Sequence, residues 1–149
     1  MQNTDGSFWA TDERLFAGLK GAGEITDWFG FVPDFHDAIL DQLILNNKSA
    51  VLTIRAHRMT NEVDPNGFFV LDKHAVVTLS LAAVSGFSLT GDVASIISEL
   101  GIRRVGANPP RIENCAGPGE GDFELSIESS YGLEGSIYAR QVSFAFQPA

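Results

Sequence analysis

From residue 38 onward, apolar and polar positions alternate, in runs set apart by short polar or glycine-bearing segments. A period of two places successive side chains on opposite faces of a strand. Residues 39–46 form one run and 50–58 the next. Asn46-Asn47-Lys48-Ser49 between them reads as a hairpin turn, because Asn tolerates left-handed backbone. In the second run Leu52, Ile54 and Ala56 share one face and Thr53, Arg55 and His57 the other. The polar stretch 60–67 ends in Pro65-Asn66-Gly67, a turn signal. Residues 68–71 and 75–83 supply further strand, with Ala75, Val77, Leu79 and Leu81 on one face and 87–89 as a short continuation. Phe123, Leu125 and Ile127 alternate with Glu124, Ser126 and Glu128 as a half-buried strand.

Three stretches break that period. Residues 1–30 read as a helical N-terminal segment. Thr11-Asp12-Glu13 caps a short helix, Gly21-Ala22-Gly23 interrupts it, and 24–29 resumes with Ile25, Trp28 and Phe29 on one face. Within 91–100, Val93, Ile96, Ile97 and Leu100 have helical spacing and Gly101 follows as a stop, which predicts one central helix. Residues 102–105 read as a short strand. In 136–146 the apolar set starts on odd numbers (Ile137, Ala139) and ends on even ones (Val142, Phe144, Phe146). A β-bulge between Ala139 and Val142 reconciles the two.

The sum is a single domain over 1–149 of α+β class. Its β-rich antiparallel body spans 38–147, either one sheet with a helix on one face or a two-sheet sandwich with helical decoration. The length of 149 residues suits one core. Hydrophobic residues make up 44% and charged residues 19%, a globular balance.

Charge narrows the partners. The net charge of -9 argues against nucleic acid and against anionic membrane surfaces, both of which need clustered Lys and Arg. It favours a basic partner over an acidic one. The lone Cys115 excludes an intrachain disulfide and points to a reducing compartment. No basic n-region with an apolar stretch opens the chain, and no apolar run approaches the roughly 20 residues that span a bilayer. The expectation is a cytoplasmic protein.

Candidate chemistry is sparse. His36-Asp37 has the residue types of a general base, but adjacent side chains diverge in extended chain, so a semi-buried His bonded to backbone is expected. His36, His57, His74 and Cys115 show no short metal-ligand spacing, although His57 and His74 fall on strands able to bring them together. Neither a metal nor a cofactor is expected. Cys115 lacks a neighbouring base and reads as an inert thiol. The loop Gly117-Pro118-Gly119-Glu120-Gly121 lacks the Lys and Ser/Thr of a phosphate cradle. Between Ile112 and Ala139 lie six acids (Glu113, Glu120, Asp122, Glu124, Glu128, Glu134) and no Lys or Arg. Asp122, Glu124 and Glu128, expected on one exposed strand face, form with Glu134 a candidate surface for a basic partner. The plain alternative is an ordinary solvated face.

One segment carries a resemblance. Trp28-Phe29-Gly30, then Pro33-Asp34-Phe35-His36-Asp37-Ala38, resembles the signature of the immunity protein 50 family of bacterial polymorphic-toxin systems. Val70-Leu71-Asp72-Lys73-His74-Ala75-Val76-Val77-Thr78-Leu79 and Val84-Ser85-Gly86-Phe87-Ser88-Leu89 are also similar. The sequence departs from that pattern at Val32, where a Trp is expected, and at Ile39, where an acid is expected. The resemblance implies a protein that binds and neutralises a cognate toxin without catalysis. It also implies that Trp28, Gly30, Pro33, Phe35, His36 and Asp37 serve the fold rather than the toxin contact. Two further readings stand beside it: a small-ligand module or enzyme with a pocket near Trp28, Phe35 and His36, and a structural or oligomerisation domain.

Overall fold

In the computed structural model, which describes residues 11–92 and 95–149, six antiparallel strands close into a barrel. The strands are β1 (Ile39–Asn46), β2 (Ser49–Val63), β3 (Phe69–Thr90), β4 (Ile96–Arg104), β5 (Phe123–Tyr131) and β6 (Glu134–Pro148). Their order is β1-β2-β3-β6-β5-β4, and β4 returns to β1. The antiparallel, β-rich expectation holds, with closure in place of a sandwich. Two short helices precede the sheet, α1 (Glu13–Ala17) and α2 (Ala22–Phe29). The part of the expected N-terminal helical segment before residue 11 lies outside the described residues.

The alternation sorts side chains as expected. Leu52, Ile54 and Ala56 of β2, Ala75, Val77, Leu79 and Leu81 of β3, and Phe123, Leu125 and Ile127 of β5 are all buried. Phe16, Ala22, Ile25 and Phe29 of the helices join the same core. Burying such side chains is worth about 1.5–3 kcal/mol each, so this interior is the main source of stability.

The central helix expected at 91–100 is not formed. Ile96–Arg104 is strand β4, and Val93 lies outside the described residues. Pairing with β5 shifts register between Ile96 and Ile97 and again between Ile97 and Glu99. The inward residues Ile97, Leu100 and Ile102 are therefore spaced three and two apart, which mimics a helical face. In β6, Arg140 and Gln141 are both exposed between buried Ala139 and Val142, so the face does switch. Pairing there runs without a slip; the irregularity is on β3, where Ala83 has φ 52° and the register shifts between Val84 and Gly86. β3 itself is continuous through the stretches read as separate, with Lys73 (φ 54°) absorbing the first break.

The segment from α2 to β1 is tied down on both sides. Gly30, at φ 86°, ends α2 with its N–H on the Thr26 carbonyl at 2.7 Å. The Trp28 ring N–H donates to the Lys73 carbonyl at 3.0 Å, and the Lys73 ammonium sits 4.7 Å from that ring's centroid. Phe35 is buried and meets Phe29 edge-on at 6.4 Å, and Pro33 is buried beside it. At the far end of β2 and β3 the hairpin outruns its neighbours. Arg58 and Asp72 clamp its base through two hydrogen bonds of 2.8 and 2.7 Å. Beyond it, Met59, Val63, Phe68, Phe69 and Leu71 are exposed.

Gly21 carries a sharp test of the packing. Its φ is 83°, and a Cβ there would lie 1.9 Å from the Phe144 carbonyl oxygen. Gly21→Ala should cost more than about 2 kcal/mol, from left-handed strain plus the clash. Gly23→Ala, inside α2 with nothing within 4 Å, should instead stabilise by about 0.5 kcal/mol or more. Thermal unfolding of both variants checks the opposite signs.

Candidate functional site

The candidate site is a groove of about 640 Å³ on the outer face of β4, β5 and β6. Cross-strand register builds it. Glu99 faces Glu128, Gly101 faces Ser126, and Arg103 faces Glu124 across β4–β5. Ser126 faces Ser136, and Glu124 faces Tyr138, across β5–β6. Gly101 adds no side chain, so the middle of the face is shallow. Glu124, Glu128 and Glu134 line the groove together, which unites three of the four acids expected to meet a partner.

The fourth is elsewhere. Asp122 lies before β5 and accepts hydrogen bonds from the Ser85 hydroxyl at 2.7 Å and the Gly119 N–H at 2.9 Å. It lines a different pocket. Glu124 also departs from expectation, being only 9% exposed. Its carboxylate accepts from Arg103 Nε at 3.1 Å, Ser136 Oγ at 2.9 Å and the Tyr138 hydroxyl at 3.2 Å. Burial of an acid on the outer face is possible because these three donors replace water. Burial first, and then the Glu124 charge, push the Tyr138 hydroxyl above its usual range. Glu124 is thus part of the groove floor, and the exposed charge belongs to Glu134, with Glu128 and Glu99 half-buried.

Glu99, concealed by the helical reading of 91–100, is the residue that sequence reasoning missed. Burial, then Asp34 and Glu128, raise its carboxyl above the ordinary value. Glutamates directly opposite on neighbouring strands repel, so the pair is a local cost to the fold. Reading 96–104 as a strand would have revealed Glu99 and Arg103 on one face; the two register shifts hid that signal.

The His36-Asp37 pair lies against β4. Phe35 and Asp37 adopt φ 60° and 62°, a sharp turn that sinks Phe35 and turns its neighbours outward. His36 is not buried as expected; its side chain is 57% exposed. The expected bond to backbone is present, since Nδ1 lies 2.9 Å from the Ser98 carbonyl oxygen. The turn also brings His36 Nε2 within 3.6 Å of the Asp37 carboxylate, against the expectation that adjacent side chains diverge. The Ser98 carbonyl is the main cause of a raised His36 pKa, with Asp37, Asp34 and Glu99 adding to it against a smaller effect of burial. Trp28 and Phe35, which the alternative reading puts around a ligand pocket, are otherwise engaged: the first donates to the Lys73 carbonyl and the second is core.

His57 and His74 do meet across β2 and β3, with ring centroids 6.0 Å apart. Burial, then the neighbouring His74, lower the His57 pKa. Among the described residues no group of three or more His, Cys, Asp or Glu side chains is placed to hold a metal ion. Cys115 is exposed, its thiol donating to the Ser85 carbonyl at 3.3 Å. No helix among the described residues is long and apolar enough to cross a membrane. No family model, curated protein or solved structure matches the chain.

Three substitutions test this account. Glu124→Ala should cost about 1.5–3 kcal/mol, because Arg103, Ser136 and Tyr138 lose a charged acceptor; urea titration measures it. The two histidines should shift stability in opposite directions in acid. The raised pKa of His36 adds stability that is complete below about pH 6.5 and is lost as pH rises through the folded value. His36→Gln should therefore lower the melting temperature more in acid than in mild alkali. The lowered pKa of His57 takes stability away as pH falls below about 6.5, so His57→Gln should reduce acid sensitivity. Melting curves across about pH 5 to 8.5 separate the two.

Proposed function

We propose that this chain is a non-catalytic immunity-type protein that binds a cognate toxin through a basic surface of the toxin domain. The observation that carries the reading is the like-charge pair Glu99 and Glu128, held opposite each other across β4–β5, with Glu128 and Glu134 lining the groove. A rigid sheet surface that keeps two repelling carboxylates together is relieved when a Lys or Arg of a partner enters between them. The net charge of -9 steers such a partner in. The resemblance of the Trp28–Ala38 segment to the immunity protein 50 family supports the same reading. The exposed apolar ribbon beyond Arg58 and Asp72 adds a second surface suited to protein contact.

The decisive experiment is to look for a toxin encoded beside this gene and to pair the two proteins. Co-expression should rescue growth, and the two proteins should co-purify. Reversing Glu128 and Glu134 to Lys should slow association about tenfold or more at low salt, with the difference shrinking as salt rises. Glu124 is left intact, because its loss would unsettle the floor. Docking of a cation should also return the Glu99 carboxyl toward its ordinary value, so complex formation in mildly acidic buffer should release protons. Absence of any neighbouring toxin gene would remove the toxin reading, and unchanged association rates at both salt concentrations would remove the groove as the binding surface.

A further inference from the structure

A second pocket, also of about 640 Å³, shares no lining residue with the acidic groove. Lys48 reaches it from the β1–β2 turn, Ser85 from the irregularity in β3, Arg140 from β6, and Glu120 and Asp122 from the glycine-rich loop. That loop lacks the lysine and hydroxyl of an anion cradle in sequence, and the fold brings a lysine from the β1–β2 turn and a hydroxyl from β3. The walls are fixed through backbone. Val84 N–H donates to the Lys48 carbonyl at 3.0 Å, and Lys48 adopts φ 65°. Gly117 packs so closely on β3 that a Cβ there would lie 2.5 Å from the Ser85 carbonyl oxygen.

The cations in this pocket differ from most others in the chain. Arg55, Arg58 and Arg103 are ion-paired, while Lys73 and Arg104 lie over aromatic rings. Lys48 and Arg140 have no ion-pair partner among the described residues, although two carboxylates line the same pocket. The Asp122 carboxylate is instead held by the Ser85 hydroxyl and the Gly119 N–H. In a protein of net charge -9, two cations that line one concave site and are ion-paired with neither of its carboxylates are placed for an external anion.

We infer that this pocket binds a small hydroxylated anion, its oxyanion on Lys48 and Arg140 and its hydroxyls donating to Glu120 and Asp122. The volume lies in the range of small-molecule sites. None of the lining residues is aromatic, so the ligand body is saturated, as in a sugar phosphate or a polyhydroxy acid, rather than a stacked base. The two sources share a carboxylate- or phosphate-bearing polyol. This site is independent of the toxin reading and is tested without a toxin.

The test is calorimetric titration of the full chain with ribose 5-phosphate, gluconate, inorganic phosphate and ribose. Saturable millimolar or tighter binding of ribose 5-phosphate or gluconate, exceeding that of phosphate and ribose, is expected; whichever of the first two binds tighter names the source. Lys48→Met with Arg140→Met should weaken that binding about tenfold or more while the ligand-free melting temperature stays unchanged, both side chains being exposed. Glu120→Gln should narrow the preference for the polyol over bare phosphate and leave phosphate binding intact. No saturable binding by any probe, or equal binding by the double methionine variant, would overturn the assignment.

Discussion

Everything in this fold depends on how the outer edge of β4 is covered. One edge of that strand pairs with β5 along its length, but the other meets three separate pieces of chain. β1 contributes a single paired position, Ile39 with Ile96, and the Leu40 N–H bonded to the Ser95 carbonyl. The turn before β1 contributes the Ala38 carbonyl to Ile97 N–H, Asp37 N–H to the Ile97 carbonyl, and the Asp34 carbonyl to Leu100 N–H. Thr11 completes the run, its hydroxyl donating to the Leu100 carbonyl and accepting from Ile102 N–H, while Asp12 N–H reaches the Ile102 carbonyl. Without these bonds the barrel would be an open sheet with a bare edge. All of them join segments far apart in sequence, so closure must follow the hairpins rather than guide them.

This explains why an eleven-residue segment dense in aromatics precedes the first strand. Phe35 and Pro33 anchor the turn in the core, and the Asp34 carboxylate accepts the His36 N–H at 3.0 Å to shape it. The left-handed residues at 35 and 37 then aim three backbone groups at β4. His36 fastens the same seam from outside through Ser98. Buried aromatics and exposed polar side chains are two halves of one clasp.

Where a strand kept its alternation, as in β2 and the first half of β3, composition alone separated inside from outside, and in β5 it found the core residues Phe123, Leu125 and Ile127. The failures share a cause. Bulges in β4 turned a period of two into an apparent period near three and a half, and so concealed Glu99 and the outer face it sits on. Sequence showed six acids without a base in 113–138 but not their fates: Glu124 is sealed under Arg103 and Tyr138, and Asp122 holds a loop. Formal charge is a property of the chain, whereas usable charge depends on which donors the register places opposite. The Lys48–Arg140 pocket was illegible for the same reason, since its two cations lie 92 positions apart by their numbers and meet only through β3.

The ribbon formed by the ends of β2 and β3 has a consequence for the chain in a crowded solution. Closure leaves the barrel no strand edge for a stranger to join, yet β1 pairs with β2 only as far as Arg55, and β6 with β3 only from Ala75. Past those residues neither flank of the ribbon is paired with another strand, and Met59, Val63, Phe69 and Leu71 are exposed along it. Such a segment is where illicit sheet growth between molecules would begin. Glu62, Asp64 and Pro65 near its tip act as gatekeepers: two charges that repel a second copy, and a ring with no N–H to offer. The acidity of this chain therefore also protects it from itself.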